Sequence, residues 1–367
     1  MRAVLITGAD GYLGAALARR HLESGNEPVL LWVRATNEEE LRAKREKLAR
    51  LVGDLRGRAS VICGDLVEAE PFRCVDPATV GSIVHCAAIT RFGVERESAD
   101  EVNVRGTEKI LELATRCPHL ERFALVSTVY SSGLGAGPVE EAPLSDRPDF
   151  ANHYERSKWE SEALLLTRFN RLPWQIFRVA TVIADDESGT VSRHNAVHNT
   201  LKLFYYGLLS LVPGNADTPV YLVTARFAVD SILALLGGRS EERIYHVAPA
   251  REETLTLGEI IDLVFDRFGR DESFRRRRIL KPIYADEESF RLLAEGVRAF
   301  SGGVLNQAVS SVAPFAKQLF VRKNVRNEKL AGALEEYRAP DAPALLRKTC
   351  DYLIRTRWGR EADRAVA

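Results

Sequence analysis

From Arg2 to about Val182, short apolar and β-branched runs alternate with helical stretches. That alternation predicts a parallel sheet with helices on both faces. Candidate strands lie at 3–7, 29–33, 60–63, 82–86, 122–127 and 174–182, and helices are expected to start near Tyr12, Asn37, Glu95 and His153. Val4-Leu5-Ile6 and Phe123-Ala124-Leu125-Val126 are apolar throughout, as burial of both strand faces requires. The expected fold class is α/β, a doubly wound parallel sheet.

Beyond Ala184 the alternation fails. Segment 185–221 mixes polar loop residues with an apolar, helix-like run at 201–211 that Pro213-Gly214 ends. A short strand at 243–247 and a helix at 257–268 follow, and the rest of the chain reads as mainly helical, most clearly at 287–300, 304–320 and 344–354. The expected organisation is a sheet domain at 1–184, to which 222–268 adds a strand and a helix, and a mainly helical cap from 185–221 and 269–367. The apolar text at 201–211 and 304–320 suits helix faces packed on a core, with a lid over an acyl chain as the alternative.

Composition narrows the classes. The chain has 367 residues, 46% of them hydrophobic, enough to bury a core without staples. Its formal net charge of zero removes any bulk electrostatic case for nucleic acid or an anionic surface as main partner. No apolar run reaches the roughly 18 residues of a membrane span, so no transmembrane segment is expected and peripheral membrane contact is left open. Oligomeric state is not encoded in these patterns. Cys63, Cys74, Cys86, Cys117 and Cys350 are scattered without a C-x-x-C pair, as free thiols of a reducing cytoplasm are. Met1-Arg2 runs straight into an apolar strand rather than a signal peptide, so the expected location is cytoplasmic. Arginine far outnumbers lysine, which points to a GC-rich bacterial genome.

The chemistry gathers after the strands. Thr7-Gly8-Ala9-Asp10-Gly11-Tyr12-Leu13-Gly14 is G-x-x-G-x-x-G between a strand and a helix. Such glycines let the turn tighten and the backbone approach a pyrophosphate, while the helix N-terminus presents N–H donors. The second strand ends at Arg34 where an NAD-preferring site usually carries a carboxylate; a guanidinium there suits a 2′-phosphate, with Arg42 and Lys44 as helpers, so NADPH (NADP) is the expected cofactor. Asp65-Leu66 follows the third strand, where the carboxylate can meet the adenine amino group. Ala87-Ala88 follows the fourth, where small side chains let the backbone lie against the cofactor. Thr128 ends the fifth. In an open α/β sheet all of these face one crevice.

Tyr154 and Lys158 stand four residues apart, on one face of a helix. An ammonium beside a phenol favours the phenolate and would bring tyrosine toward the range of a general acid or base.

With these residues in order, the chain resembles the extended short-chain dehydrogenase/reductase (SDR) superfamily over about residues 1–250. Within it the chain looks most like the thioester reductase and fatty acyl-CoA reductase branch, also called the male-sterility type. The text that carries this is Leu31-Trp32-Val33-Arg34-Ala35, Gly64-Asp65-Leu66, His85-Cys86-Ala87-Ala88, Asn103-Val104-Arg105-Gly106-Thr107, Val126-Ser127-Thr128 and Tyr154-Glu155-Arg156-Ser157-Lys158-Trp159-Glu160-Ser161-Glu162. The resemblance implies a Rossmann-type domain with a smaller helical substrate region. It makes Tyr154 the acid that protonates a carbonyl oxygen, Thr128 a second hydroxyl on that oxygen, and Lys158 the residue that binds the nicotinamide ribose and depresses the tyrosine pKa. Thr7, Gly8, Gly11, Tyr12, Leu13, Gly14, Arg34, Asp65, Leu66, Ala87, Ala88, Lys158 and Val182 would line the cofactor. The implied reaction is reduction of an acyl thioester, on coenzyme A or a carrier protein, to an aldehyde, with a further step to the alcohol left open.

Two departures touch the substrate side. Val179 stands where the family often has proline, and Thr224-Ala225-Arg226 where relatives read Pro-Val-Asp. Arg226 reads as an exposed arginine ahead of a contact to an acidic substrate group, and Arg275 to Arg278 as a solvated face ahead of an anion site. Thr128 is followed by Val129-Tyr130 rather than the Asp-Glu pair of sugar-nucleotide dehydratases. The runner-up is a ketone or alcohol dehydrogenase of the same superfamily, because the active residues do not distinguish ketone from thioester. A non-catalytic NADP sensor is the third reading, with Tyr154 and Lys158 both present against it. His194 and His198 have the spacing of a helical zinc pair but no glutamate between them, and no metal site is expected.

Overall fold

The computed structural model describes residues 2–53, 57–144, 147–238, 243–299 and 304–359. Seven strands form one sheet: β1 (Ala3–Thr7), β2 (Val29–Arg34), β3 (Ala59–Gly64), β4 (Val80–His85), β5 (Arg122–Thr128), β6 (Trp174–Val179) and β7 (Ile244–Val247). They lie parallel in the order β7-β6-β5-β4-β1-β2-β3. The order reverses between β1 and β4, so a crevice opens beyond their carboxyl ends.

Alternation along each strand sends its side chains to opposite faces. Val4 and Ile6 join Leu31, Val33 and Leu17 of α1 (Tyr12–Ser24) in one apolar cluster. Leu5 joins Trp32, Ile83, Phe123 and Leu125 in the other, against Ile110 and Leu111 of a helix at Gly106–Arg116. A third cluster holds the C-terminal region together around Phe204, Phe265, Phe268, Leu345 and Leu353. Leu201, Val309, Val312 and Ala316 belong to it, so the apolar runs near 201 and 304 are spent mainly on packing.

Three expected elements are corrected and a fourth, found where expected, is less regular. The strand foreseen at 174–182 is two: β6 stops at Val179, and Thr181–Ala184 turns away to pair with Leu222–Thr224. Ala180 is the corner, its N–H bonded to Val247 and that of Thr181 to Tyr221. The run at 201–211 is the end of a helix, Ala196–Tyr205, then a turn with Gly207 at φ 68°, then a strand, Leu211–Pro213. The segment 304–320 is helical only at Val304–Val312; it tightens to a 3₁₀ turn at Ala313–Phe320, where Pro314 lacks the N–H that an α-helix needs. The helix foreseen near Glu95 starts at Arg96 and passes through a wide π turn, Asp100–Arg105, before Gly106–Arg116. Phe300, expected in the helix at 287–300, lies outside the described residues; that helix is Glu287–Ala299. Among the described residues no helix is long and apolar enough to cross a membrane.

Candidate active site

The glycine loop is shaped by close backbone approach. Gly8 takes φ 65°, and a Cβ there would lie 2.8 Å from Ala87 Cα. A Cβ on Gly14 would lie 2.2 Å from the Gly8 carbonyl oxygen, and one on Gly11 2.9 Å from it. No side chain can be added without opening the loop. α1 begins immediately after it with Gly11 as N-cap and no side-chain cap, so no side chain competes for the N–H groups of its first turn. This cradle fits a dinucleotide pyrophosphate.

Thr7 and Ala87 are tied together by a buried chain of polar groups. Ala87 N–H donates to Thr7 Oγ1 at 3.2 Å, and Thr7 Oγ1 lies 2.8 Å from His85 Nδ1. On the other side His85 Nε2 is 3.2 Å from Thr107 Oγ1, whose proton goes to the Asn103 carbonyl at 2.5 Å. With the Thr107 proton committed, the network assigns the His85 proton to Nε2. Burial first, then Lys158, holds His85 neutral by lowering its pKa to about 3.

The other expected cofactor residues take these places. Arg34 ends β2 and is exposed, as is Arg42. Lys44 is less available than expected: its Nζ is 2.5 Å from Asp10 Oδ2 in the glycine loop. Asp65 accepts from Val67 N–H, and Leu66 packs under Gly106, its carbonyl held by Lys109. Ala88 follows Ala87 out of β4. Tyr12 donates to Asp185 Oδ1 at 2.5 Å, and Leu13 packs on the first apolar cluster. Val182 lies in the diverging strand, its carbonyl accepting from Asn195.

The helix His153–Arg168 brings the remaining residues in. Asn152 caps it by accepting from Glu155 N–H, and Ser157 and Ser161 give it a small polar face against the π turn. There Asn103 donates to Ser157 Oγ at 2.8 Å and its carbonyl accepts from Ser161 at 3.0 Å. The Thr128 side chain lies close enough to the Tyr154 hydroxyl to favour its ionised form. Lys158, 4% exposed, donates to the Val126 carbonyl at 2.6 Å.

The electrostatics differ from the expectation of a depressed tyrosine. Burial, then the adjacent Glu155, pushes the Tyr154 phenol well above its usual 10 against the weaker pull of Thr128; Tyr130 adds to the rise. The residue retains some exposed surface while its hydroxyl lies deep. Lys158 lies toward Val126 and does not offset this. Its own pKa is lowered to about 8 by burial, with Glu162 and Cys86 opposing. At neutral pH Tyr154 is therefore a protonated phenol, the form a proton donor needs.

Beneath the pair lies a buried ion pair that the motifs marked only by their last letter. Arg178 Nη2 meets Glu162 Oε2 at 2.8 Å, with the two side chains 0% and 2% exposed. Glu162 also accepts from Ser127 and Ser131, and Arg178 lies 3.2 Å from His246 Nε2. Glu162 is i+4 to Lys158, so its face could be foretold, but its partner on β6 could not. Arg178, one residue before the end of β6, thus turns its side chain inward to this pair.

Two candidates fall outside the site. Arg226 is the second residue of the helix Ala225–Gly237, pairs with Asp230 at 3.7 Å and lines a broad surface groove with Glu187 and Arg338. Tyr154 does not line that groove. Of the Arg275 to Arg278 run, Arg276 pairs with Glu272 and Arg277 stacks over Tyr205 and Tyr206. His198 spends Nδ1 on the Asn195 N–H and Nε2 on the Ile183 carbonyl.

A match to the male sterility protein family spans residues 6–232. The chain belongs to that family. The family model is that of an NAD-binding domain, in keeping with the glycine cradle. This member of the male sterility family is 30% identical over 209 residues to a component of the linear gramicidin synthase of Brevibacillus parabrevis, covering 52% of this chain and 4% of that one. It is 28% identical over 317 residues to the carboxylic acid reductase of Mycobacterium tuberculosis, covering 71% and 26%. The chain thus spans only a small part of these relatives. Among solved structures it resembles the terminal R domain of the myxalamid PKS-NRPS pathway, with TM-score 0.75 and 22% identity over 98% of this chain and 92% of that one. It also resembles UDP-glucuronic acid 4-epimerase from Bacillus cereus, with TM-score 0.66 and 16% identity over 96% and 99%. These two likenesses concern the fold.

Proposed function

We propose that the protein is an NADPH-dependent reductase of an acyl thioester, carried on coenzyme A or a carrier protein, that releases an aldehyde. The observation that carries this reading is the buried Tyr154 hydroxyl beside Thr128 at the end of β5, on a helix that also delivers Lys158. Names of the relatives support an acyl reduction: a carboxylic acid reductase, and a subunit of a linear gramicidin synthase. The bound cofactor would supply the hydride.

Tyr154 and Thr128 would hold the carbonyl oxygen between two hydroxyls, where negative charge grows as the carbon is reduced. Tyr154 would give that oxygen its proton. The resulting hemithioacetal then loses its thiol and becomes an aldehyde. In the balanced reaction one thioester, one NADPH and one proton yield one aldehyde, one thiol and one NADP. Lys158 would bind the ribose hydroxyls as an ammonium, and Arg34 would favour a 2′-phosphate.

The test follows NADPH oxidation and free thiol together over a panel of acyl-CoA esters, acyl-carrier substrates, aldehydes and ketones. Oxidation tied to thiol release supports the proposal. Turnover of ketones alone moves the assignment to a ketone reductase, and tight NADPH binding without turnover to a sensor.

A further inference from the structure

The segment 313–325 crosses the start of the Tyr154 helix. Its 3₁₀ turn, Ala313–Phe320, leads into a strand, Lys323–Val325, that pairs with Gly137–Val139. The Pro314 carbonyl accepts from Asn152, the helix cap, at 3.0 Å. Gln318 Nε2 donates to Glu155 Oε2 at 2.8 Å and to the Gly133 carbonyl at 3.1 Å. Lys323 Nζ donates to the same Gly133 carbonyl and to Ser132 Oγ at 3.0 Å. Phe315 packs on Phe92, which packs on the Tyr154 ring, with centroids 5.6 and 5.9 Å apart. Asn152, Tyr154 and Glu155 are thus each held by this strap, directly or through one side chain.

Glu155 is 1% exposed and Lys323 6%. A carboxylate and an ammonium are buried so deeply only where each compensates the other or finds dense hydrogen bonding. The groups facing one another here are few. Glu155 accepts from Gln318, Asn152 and the Ala151 N–H and feels Lys323 through space, Gln318 and Lys323 sharing the Gly133 carbonyl; Tyr154 feels Glu155 and Tyr130 and lies beside Thr128. Lys323 also lies over the Tyr130 ring at 5.9 Å, while Lys158 answers to Glu162 and Cys86. A negative charge one residue from Tyr154 opposes proton release, and a cation held near that charge relieves it.

We propose that Lys323 is a positioning residue for the proton donor, its ammonium acting through the Glu155 carboxylate to fix the first turn of the helix and the field at the Tyr154 hydroxyl. The proposal rests on the reading of Tyr154 as the acid.

Lys323→Met, Lys323→Arg and the pair Lys323→Met with Glu155→Gln are compared with the parent in two measurements. The first is hydrogen exchange of the intact protein, which needs no substrate: amides of 153–156 should exchange about tenfold faster in Lys323→Met while those of β5 hold. The second is turnover of the best carbonyl substrate with NADPH. There Lys323→Met should lower kcat about tenfold with KM for NADPH within about twofold and a larger solvent deuterium effect. Lys323→Arg should retain most activity, and the double variant should regain it, since no unpaired carboxylate remains. If Lys323→Met fails to fold, the double variant alone decides: it should be folded and active. Unchanged exchange and kcat in Lys323→Met, or an inactive double variant, overturns the proposal. A parent that turns over no carbonyl, yet shows the exchange difference, refutes the catalytic reading of Tyr154 and leaves the strap.

Discussion

A phenol whose pKa is raised by burial keeps its proton at neutral pH, so Tyr154 stands in the donor form while being a weaker acid than a free phenol. Tyr154→Phe should lower kcat by about 10²–10⁴-fold while NADPH still binds, measured by turnover and by cofactor fluorescence. Full activity in that variant would remove Tyr154 from the mechanism. Lys158 gives a pH signature. Its folded pKa of about 8 lies below the ordinary value, so it loses its proton as pH rises through 8, and NADPH affinity should weaken there. Lys158→Arg, permanently charged, should flatten that limb. In the stability of the cofactor-free protein the sign is opposite: the unfolded chain binds the extra proton between about pH 8 and 10.5, so the burden of burying Lys158 is full below pH 8 and lifts above it.

At the scale of elements, the loop and the helices hold the site by contacts that tolerate little change. Gly14→Ala puts a methyl 2.2 Å from the Gly8 carbonyl oxygen, so α1 must move off β1. NADPH titration of that variant should show no saturation at millimolar cofactor; normal binding would mean that the loop opens freely. Arg178→Met strands the Glu162 carboxylate in the core and should cost about 3–5 kcal/mol, read in a denaturant melt. The strands and the glycine loop were legible in sequence because their signals are local: apolar runs and glycines at fixed spacing. The pairing of Glu162 with Arg178, and of Glu155 with Gln318, was not, because each partner lies on another element and no motif names Arg178 or Gln318. The break at Ala180 was hidden for a related reason, since 174–182 is uniformly β-prone and only the Tyr221 strand draws it aside. Lysine beside tyrosine at i,i+4 was visible, yet its direction was not: the ammonium turns to Val126, and burial rather than the lysine governs the phenol.

For the whole molecule, a dinucleotide cradle at the switch point of a seven-strand sheet meets a C-terminal region that folds back over the tyrosine helix. The family model is that of an NAD-binding domain, and the proposed reduction of a thioester is the central claim built on it. The most direct measurement supplies 4-deuterated NADPH, with the transferable position labelled, and an acyl-CoA ester in a single turnover, then counts thiol and locates the label. One thiol per NADPH oxidised, with deuterium at C1 of the aldehyde, is the predicted result. Thiol released without NADPH oxidation, or label incorporated only when a ketone replaces the thioester, would contradict it.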